Sequence, residues 1–246
     1  VPYIKYIRSK IDSMIAAEIK KSADEQNAKL QNISQSHQKD IAELKQKFEE
    51  RIKSNIAHVE NLSKEAEQKI KNAVEIASRK KPEELTLDDK ERVEEAVEGL
   101  KQKPEAQYSA DDYFVKGYEA SIKGRHEEAL AYYDKAIKLK PDYAEAWNNK
   151  GISLGKLERY EDAISAYDKA IKLKPDYAEA YYNLACIYAL KKDKTMAVKY
   201  LDMAVDKGYN KLEHIEQDKS LDFIRHAPEY KEIIQKLRQK TSSGRV

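Results

Sequence analysis

The sequence predicts an all-α protein in which a long helical rod precedes a stacked array of helical hairpins. Three observations carry this. Gly and Pro number only seven and six in 246 residues, and no Gly stands before Gly99, a scarcity that favours helix over sheet. Apolar residues recur at helical spacing through the N-terminal third of the chain. The fourteen-residue string YDKAIKLKPDYAEA occurs twice, at Tyr133–Ala146 and Tyr167–Ala180, an offset of 34 residues that marks a repeat architecture.

Composition bounds the function. Charged residues make up 37% and the mean hydropathy is −0.86, high for one compact globule, so part of the chain is expected to be elongated. Lys and Arg (46) nearly balance Asp and Glu (44), and a net charge of +2 gives no field that argues for nucleic acid. The one cysteine, Cys186, has no internal disulfide partner, which fits a reducing compartment, and a cytoplasmic location is expected. No run of 18 apolar residues predicts a membrane span. The start at Val1 rather than Met leaves open a removed anchor or signal.

The rod comes first. Residues 3 to 81 hold no Pro or Gly, and their apolar stripe runs through Leu30, Ile33, Ile41, Leu44, Phe48, Ile52, Ile56, Val59, Leu62, Ala66 and Ile70. An 11-residue echo links Ile19, Leu30, Ile41 and Ile52, and again His37, Phe48, Val59 and Ile70. Eleven residues in three turns predict a nearly straight or slightly right-handed coiled coil. A helix roughly 115 Å long must lay so thin a stripe on something. A second copy of the chain is the expected partner, giving a homo-oligomer, a dimer through residues 1–82. A lipid surface is the less favoured alternative, because a narrow aliphatic stripe suits a seam better than a lipid-embedded face.

Pro82 ends the rod. Residues 83–107 read as an acidic helical connector: Thr86 caps a helix with Asp89 three residues on, Val93, Val97 and Leu100 share one face, and Pro104 closes it. Ser109 with Asp112 repeats the capping signature and opens the next domain, residues 108–240. Aromatics change there too. Between Tyr6 and Tyr108 the sole aromatic is Phe48, whereas fifteen Tyr and Trp147 follow, as a three-dimensional core requires.

The repeat units are 110–143, 144–177 and 178–211. The first carries Tyr113, Gly117, Ala129, Tyr133, Ala136 and Pro141; the second carries Trp147, Gly151, Ala163, Tyr167, Ala170 and Pro175; the third carries Tyr181, Ala185, Ala197, Leu201 and Ala204, then departs with Gly208 and Tyr209. This pattern resembles the tetratricopeptide repeat (TPR) family over about residues 105 to 240. The resemblance implies a right-handed superhelical array of three hairpins. Residues 212–240 are expected to close it as a cap, with Tyr230, Ile233, Ile234 and Leu237 on one helical face behind Pro228. Residues 241–246 read as a disordered tail.

In this family the first helix of each hairpin lines a concave wall that binds a peptide or helix. The wall positions carry over as Asp111, Phe114, Tyr118 and Ser121, then Glu145, Asn148, Asn149, Ile152 and Gly155, then Glu179, Tyr182, Asn183, Cys186 and Ala189. Glu and Asn at such positions are also ordinary family residues, so the wall carries a structural reading beside the functional one. The Lys, Asn and Arg set with which some TPR domains grip a carboxylate tail is reduced here to Asn149. An aromatic and acidic wall is expected to prefer apolar anchors with Lys or Arg.

Nothing in the sequence asks for catalysis. The five histidines, at 37, 58, 126, 214 and 226, lack metal-ligand spacing. The string GISLGK at Gly151–Lys156 has too few residues between glycines for a phosphate loop and lies inside a repeat helix. The expectation is a non-enzymatic scaffold with no cofactor and no metal, binding a protein or peptide partner.

Overall fold

The computed structural model describes the backbone from Pro2 to Ser243 and the side chains from Ile7 to Lys240. Its described residues form ten α-helices and no strand. Contacts divide the chain into two units, Val1–Ser63 and Lys64–Val246. The helix α1, Pro2–Arg79, has residues in both, so the helix end near Pro82 and the start of the second unit do not coincide.

In the first unit the stripe is bare. Ile19, Leu30, Ile41, Phe48 and Val59 are each more than 60% exposed.

In the second unit the last turns of α1 are followed by a 3-10 turn, Pro82–Glu84, and by α2, Leu87–Leu100. The Thr86 hydroxyl accepts from the Asp89 backbone N–H at 3.2 Å, and Asp89 Oδ2 accepts from Lys80 Nζ at 2.6 Å. The same device recurs at the next helix start. Ser109 caps α3, Ala110–Ile122, and Asp112 Oδ2 accepts from Lys103 Nζ at 2.5 Å. In both cases a Lys nine residues upstream neutralises the cap carboxylate, which itself sits well at a helix N-terminus.

Three hairpins follow: α3 with α4 (His126–Leu139), α5 (Ala144–Lys156) with α6 (Tyr160–Leu173), and α7 (Ala178–Leu190) with α8 (Lys194–Asp206). Each packs on the next, α4 against α5 and α6 against α7. The inner turns share one design. A residue with positive φ stands at Gly124, Glu158 and Lys192, and beyond it the N–H groups of Arg125, Arg159 and Asp193 each reach back five residues at 2.9 Å. Such a closure satisfies carbonyls left over at the helix end.

Small residues set the helix spacing within a hairpin. A Cβ on Gly117 would lie 2.7 Å from the ring of Tyr133, and one on Gly151 would lie 2.5 Å from that of Tyr167. In the third hairpin the pair is Ala185 and Leu201, both fully buried in one cluster: a larger residue on the first helix meets a smaller one on the second, conserving volume.

The array is closed by α9 (Leu212–Gln217), a 3-10 turn at Lys219–Leu221 and α10 (Pro228–Ser243). Ile215, Leu221 and Ile224 are completely buried, so this irregular stretch is packed. Tyr230, Ile233, Ile234 and Leu237 join Leu201 and Val205 in the same cluster. α10 continues to Ser243, three residues into the stretch expected to be a disordered tail; residues 244–246 lie outside those described.

Candidate peptide groove

The first helices α3, α5 and α7 carry the wall positions read from the sequence, and the chain's own residues 73–84 lie against them. The Asn149 side-chain amide donates to the carbonyl of Ala77 at 3.1 Å, and the Tyr118 hydroxyl donates to the carbonyl of Lys80 at 2.5 Å. Ala73 and Ala77 are buried, as are Phe114 and Tyr118. Between Ala77–Lys81 on one side and Asn148, Asn149, Ile152, Glu179 and Asn183 on the other, the room into which a water centre fits is about 10 Å³. That is barely one water, so the segment fills this part of the wall.

A ladder of amides runs across the wall. Asn183 Nδ2 donates to Asn148 Oδ1 at 3.0 Å, Asn148 Nδ2 donates to Asn149 Oδ1 at 3.3 Å, and Asn149 hands the remaining donor to the Ala77 carbonyl. All three asparagines are buried. Buried amides without partners are costly, so each link fixes its neighbour.

The remaining wall residues divide by role. Asp111 Oδ1 accepts from the Tyr143 hydroxyl at 2.8 Å. Phe114 is packed under the rings of Tyr143 and Tyr133, with centroids 4.9 and 6.0 Å away, and serves the core. Ser121 meets Ser153 at 3.1 Å. Glu145 is half-buried and paired with Lys174 at 3.4 Å. Burial, reinforced by nearby Tyr133, raises the Tyr118 phenol above its ordinary range, so it stays a hydrogen-bond donor.

The C-terminal end of the wall has a charged pair of contacts that the sequence reading did not pick out. Lys81 Nζ sits 4.7 Å from the centroid of Tyr182. That ring stacks on Tyr209 at 4.3 Å and 6°, and its hydroxyl donates to Asp218 Oδ2 at 2.7 Å. Beyond Pro82, Glu84 Oε2 accepts from Lys211 Nζ at 2.8 Å, and Oε1 lies 3.4 Å from His214 Nε2. The Tyr209 hydroxyl meets the other ring nitrogen, Nδ1, at 3.0 Å.

Electrostatics follow the geometry. Burial alone would raise Glu84, but the Lys211 hydrogen bond and the charges of Lys211 and Lys81 hold it below the usual carboxylate range. Burial likewise works against Asp218, yet hydrogen bonds from Ser220 and Tyr182 bring it to about 2. His214 is lowered by burial and by Lys81, which keeps it neutral at pH 7. Its approach to Glu84 is therefore a contact of a neutral imidazole rather than an ion pair. Cys186 is pushed up to about 12 by burial, so its thiol is inert. Among the described residues no group of His, Cys, Asp and Glu could hold a metal ion.

The tetratricopeptide repeat family matches residues 144–177 and 166–199, and the TPR repeat matches residues 117–158. Residues 117–199 are tetratricopeptide repeats. Uncharacterized protein MJ0572 of Methanocaldococcus jannaschii is 49% identical over 45 residues, covering 18% of this TPR chain and 52% of that protein. The chain thus spans about half the length of that curated relative. The crystal structure of MamA shares the fold, with a TM-score of 0.51 at 20% identity over 65% of this chain and 94% of that one. YrrB, described as a TPR protein with an unusual peptide-binding site, aligns with a TM-score of 0.42 at 23% identity, over 50% and 61% of the two chains.

The TPR wall residues lie together on α3, α5 and α7. Sequence reasoning missed Lys80, Lys81, Glu84, Lys211, His214 and Asp218. The available signal was the charge reversal across Pro82 in Lys80-Lys81-Pro82-Glu83-Glu84, which a connector has no need of.

Proposed function

We propose that this chain is a non-enzymatic interaction scaffold whose TPR groove, lined by Asp111, Tyr118, Glu145, Asn148, Asn149, Ile152, Glu179, Tyr182 and Asn183, receives a polypeptide segment. Copies of the chain join through the exposed stripe of α1. The observation that carries the groove reading is that Asn149 and Tyr118 donate to main-chain carbonyls. Donors aimed at backbone recognise polypeptide as such, whatever its sequence, and neighbouring side chains add choice. Support for self-association comes from the apolar stripe between Ile7 and Leu62, exposed along its whole length, since an isolated helix with one apolar face gains by covering it.

Panning a random peptide display library on the full chain tests the groove. Enriched peptides should lose binding about tenfold or more when Asn149→Ala removes a buried donor. No enrichment, or peptides indifferent to Asn149, would contradict the reading. For the stripe, light scattering on the full chain should report a dimer that Ile41→Glu with Ile52→Glu converts to a monomer. A monomeric wild-type chain that sediments with anionic vesicles would favour a lipid surface instead.

A further inference from the structure

We propose that the C-terminal end of the groove, formed by Tyr182, Tyr209, Lys211, His214 and Asp218, is a two-point charge subsite for a partner segment of the form cation-Pro-x-carboxylate. In this proposal, which rests on the groove reading above, the chain's own Lys81-Pro82-Glu83-Glu84 occupies the subsite as a resident competitor.

The two points use different chemistry. The cation point is an aromatic face backed by a carboxylate: Lys81 lies over Tyr182, and the Tyr182 hydroxyl is held by Asp218. An ammonium gains from a ring face it can approach while partly desolvated. The anion point is Lys211, with His214 beside it, on Glu84. Pro82 opens the 3-10 turn between them, in which the Glu84 N–H reaches the Lys81 carbonyl at 2.9 Å. That turn presents residues i and i+3 together, which sets the spacing a partner must match.

Tyr209, Lys211, His214 and Asp218 stand after the last repeat helix, on the irregular stretch that closes the array. Repeat geometry alone does not require charged groups there. Two other contacts, Asn149 to carbonyl 77 and Tyr118 to carbonyl 80, engage only main chain, so the two-point subsite supplies the choice among sequences.

The resident segment is held in a way that permits exchange. From Ser78 to Glu84 no residue is fully buried, and Arg79 and Glu83 are exposed. The Lys211 and Glu84 side chains keep 36% and 18% of their surface in solvent, so their contact is partly screened, and a tethered occupant raises the threshold for an outside segment by its high effective concentration.

Fluorescence anisotropy tests this with the labelled peptide VEIASRKKPEELT, which reproduces residues 74–86, against the full-length chain. A chain carrying Lys81→Ala with Glu84→Ala keeps the subsite but loosens its resident, and it should bind the peptide about tenfold more tightly than wild type. A peptide with the same two alanines should bind that chain about tenfold more weakly than the unaltered peptide. A second variant guards against misfolding of the first: Lys211→Glu should reverse the preference, favouring a peptide with Lys in place of the second Glu.

Equal binding of both peptides to the loosened chain, with binding lost on Asn149→Ala, would overturn the charge readout and leave the groove reading standing. Absence of binding to every chain would overturn both.

Discussion

The side-chain amide of Asn149 donates to the carbonyl of Ala77, 72 residues earlier in the chain, at 3.1 Å. Asn149 belongs to the second repeat and Ala77 to the last turns of the first helix, so the wall of the array and the end of the rod are one packed structure. Residues 73–84 therefore cover this wall, and side chains of that segment pair with the repeats and their cap.

Hairpin spacing should be intolerant of one added methyl. Gly151→Ala would place a Cβ 2.5 Å from the ring of Tyr167, and overpacking of this kind costs about 1–3 kcal/mol. Gly99→Ala meets no neighbour within 4 Å and lies in α2, where Ala is favoured over Gly by up to about 1 kcal/mol. Urea unfolding should separate the two, with the midpoint lowered for the first and unchanged or raised for the second.

The inner turns carry a removable strain. Glu158 has φ of 59° where the first hairpin has Gly124 at 72°. A non-glycine residue in left-handed backbone costs about 1 kcal/mol or more. Glu158→Gly should therefore raise stability by about 0.5–1 kcal/mol, read from thermal unfolding, and a lowered Tm would contradict the assignment of that turn.

Acid should loosen the end of the groove in two stages. His214 is held below its ordinary 6.5; the folded form binds its proton less readily than the unfolded chain, so stability present above pH 6.5 is lost as pH falls through the lowered value. Glu84 is lowered from 4.5 and Asp218 from 3.8 to about 2. Their contribution is complete above those ordinary values and disappears as each is protonated at lower pH. Discounted for partial exposure, the Asp218 share of this stage amounts to roughly 1–2 kcal/mol. Stability curves from pH 7.5 to pH 2 check it, and Glu84→Gln with Asp218→Asn should flatten the lower stage.

Much of the fold was legible because the repeat is local. A 34-residue echo fixes which helices pair, and Gly151 beside Tyr167 shows why small and aromatic residues alternate at set positions. The common face of Asn148, Asn149 and Asn183 was legible for the same reason, since the repeat dictates where they stand. What covers them was not. Ala73 and Ala77 continue the helical stripe of the rod, and nothing in periodicity distinguishes a seam facing another rod from one facing asparagines much later in the chain. Phe114 shows the converse. Its position in the repeat assigns it to the wall, but Tyr143 and Tyr133 enclose it.

Hydrogen exchange on the full-length chain, resolved at residues 74–84, tests the central claim most directly. In the wild type these amides should be protected from exchange, and Tyr118→Phe with Asn149→Ala should release them while α5 and α7 stay protected. Rapid exchange at 74–84 in the wild type, or protection unaffected by the two substitutions, would contradict packing of this segment on the wall of the array.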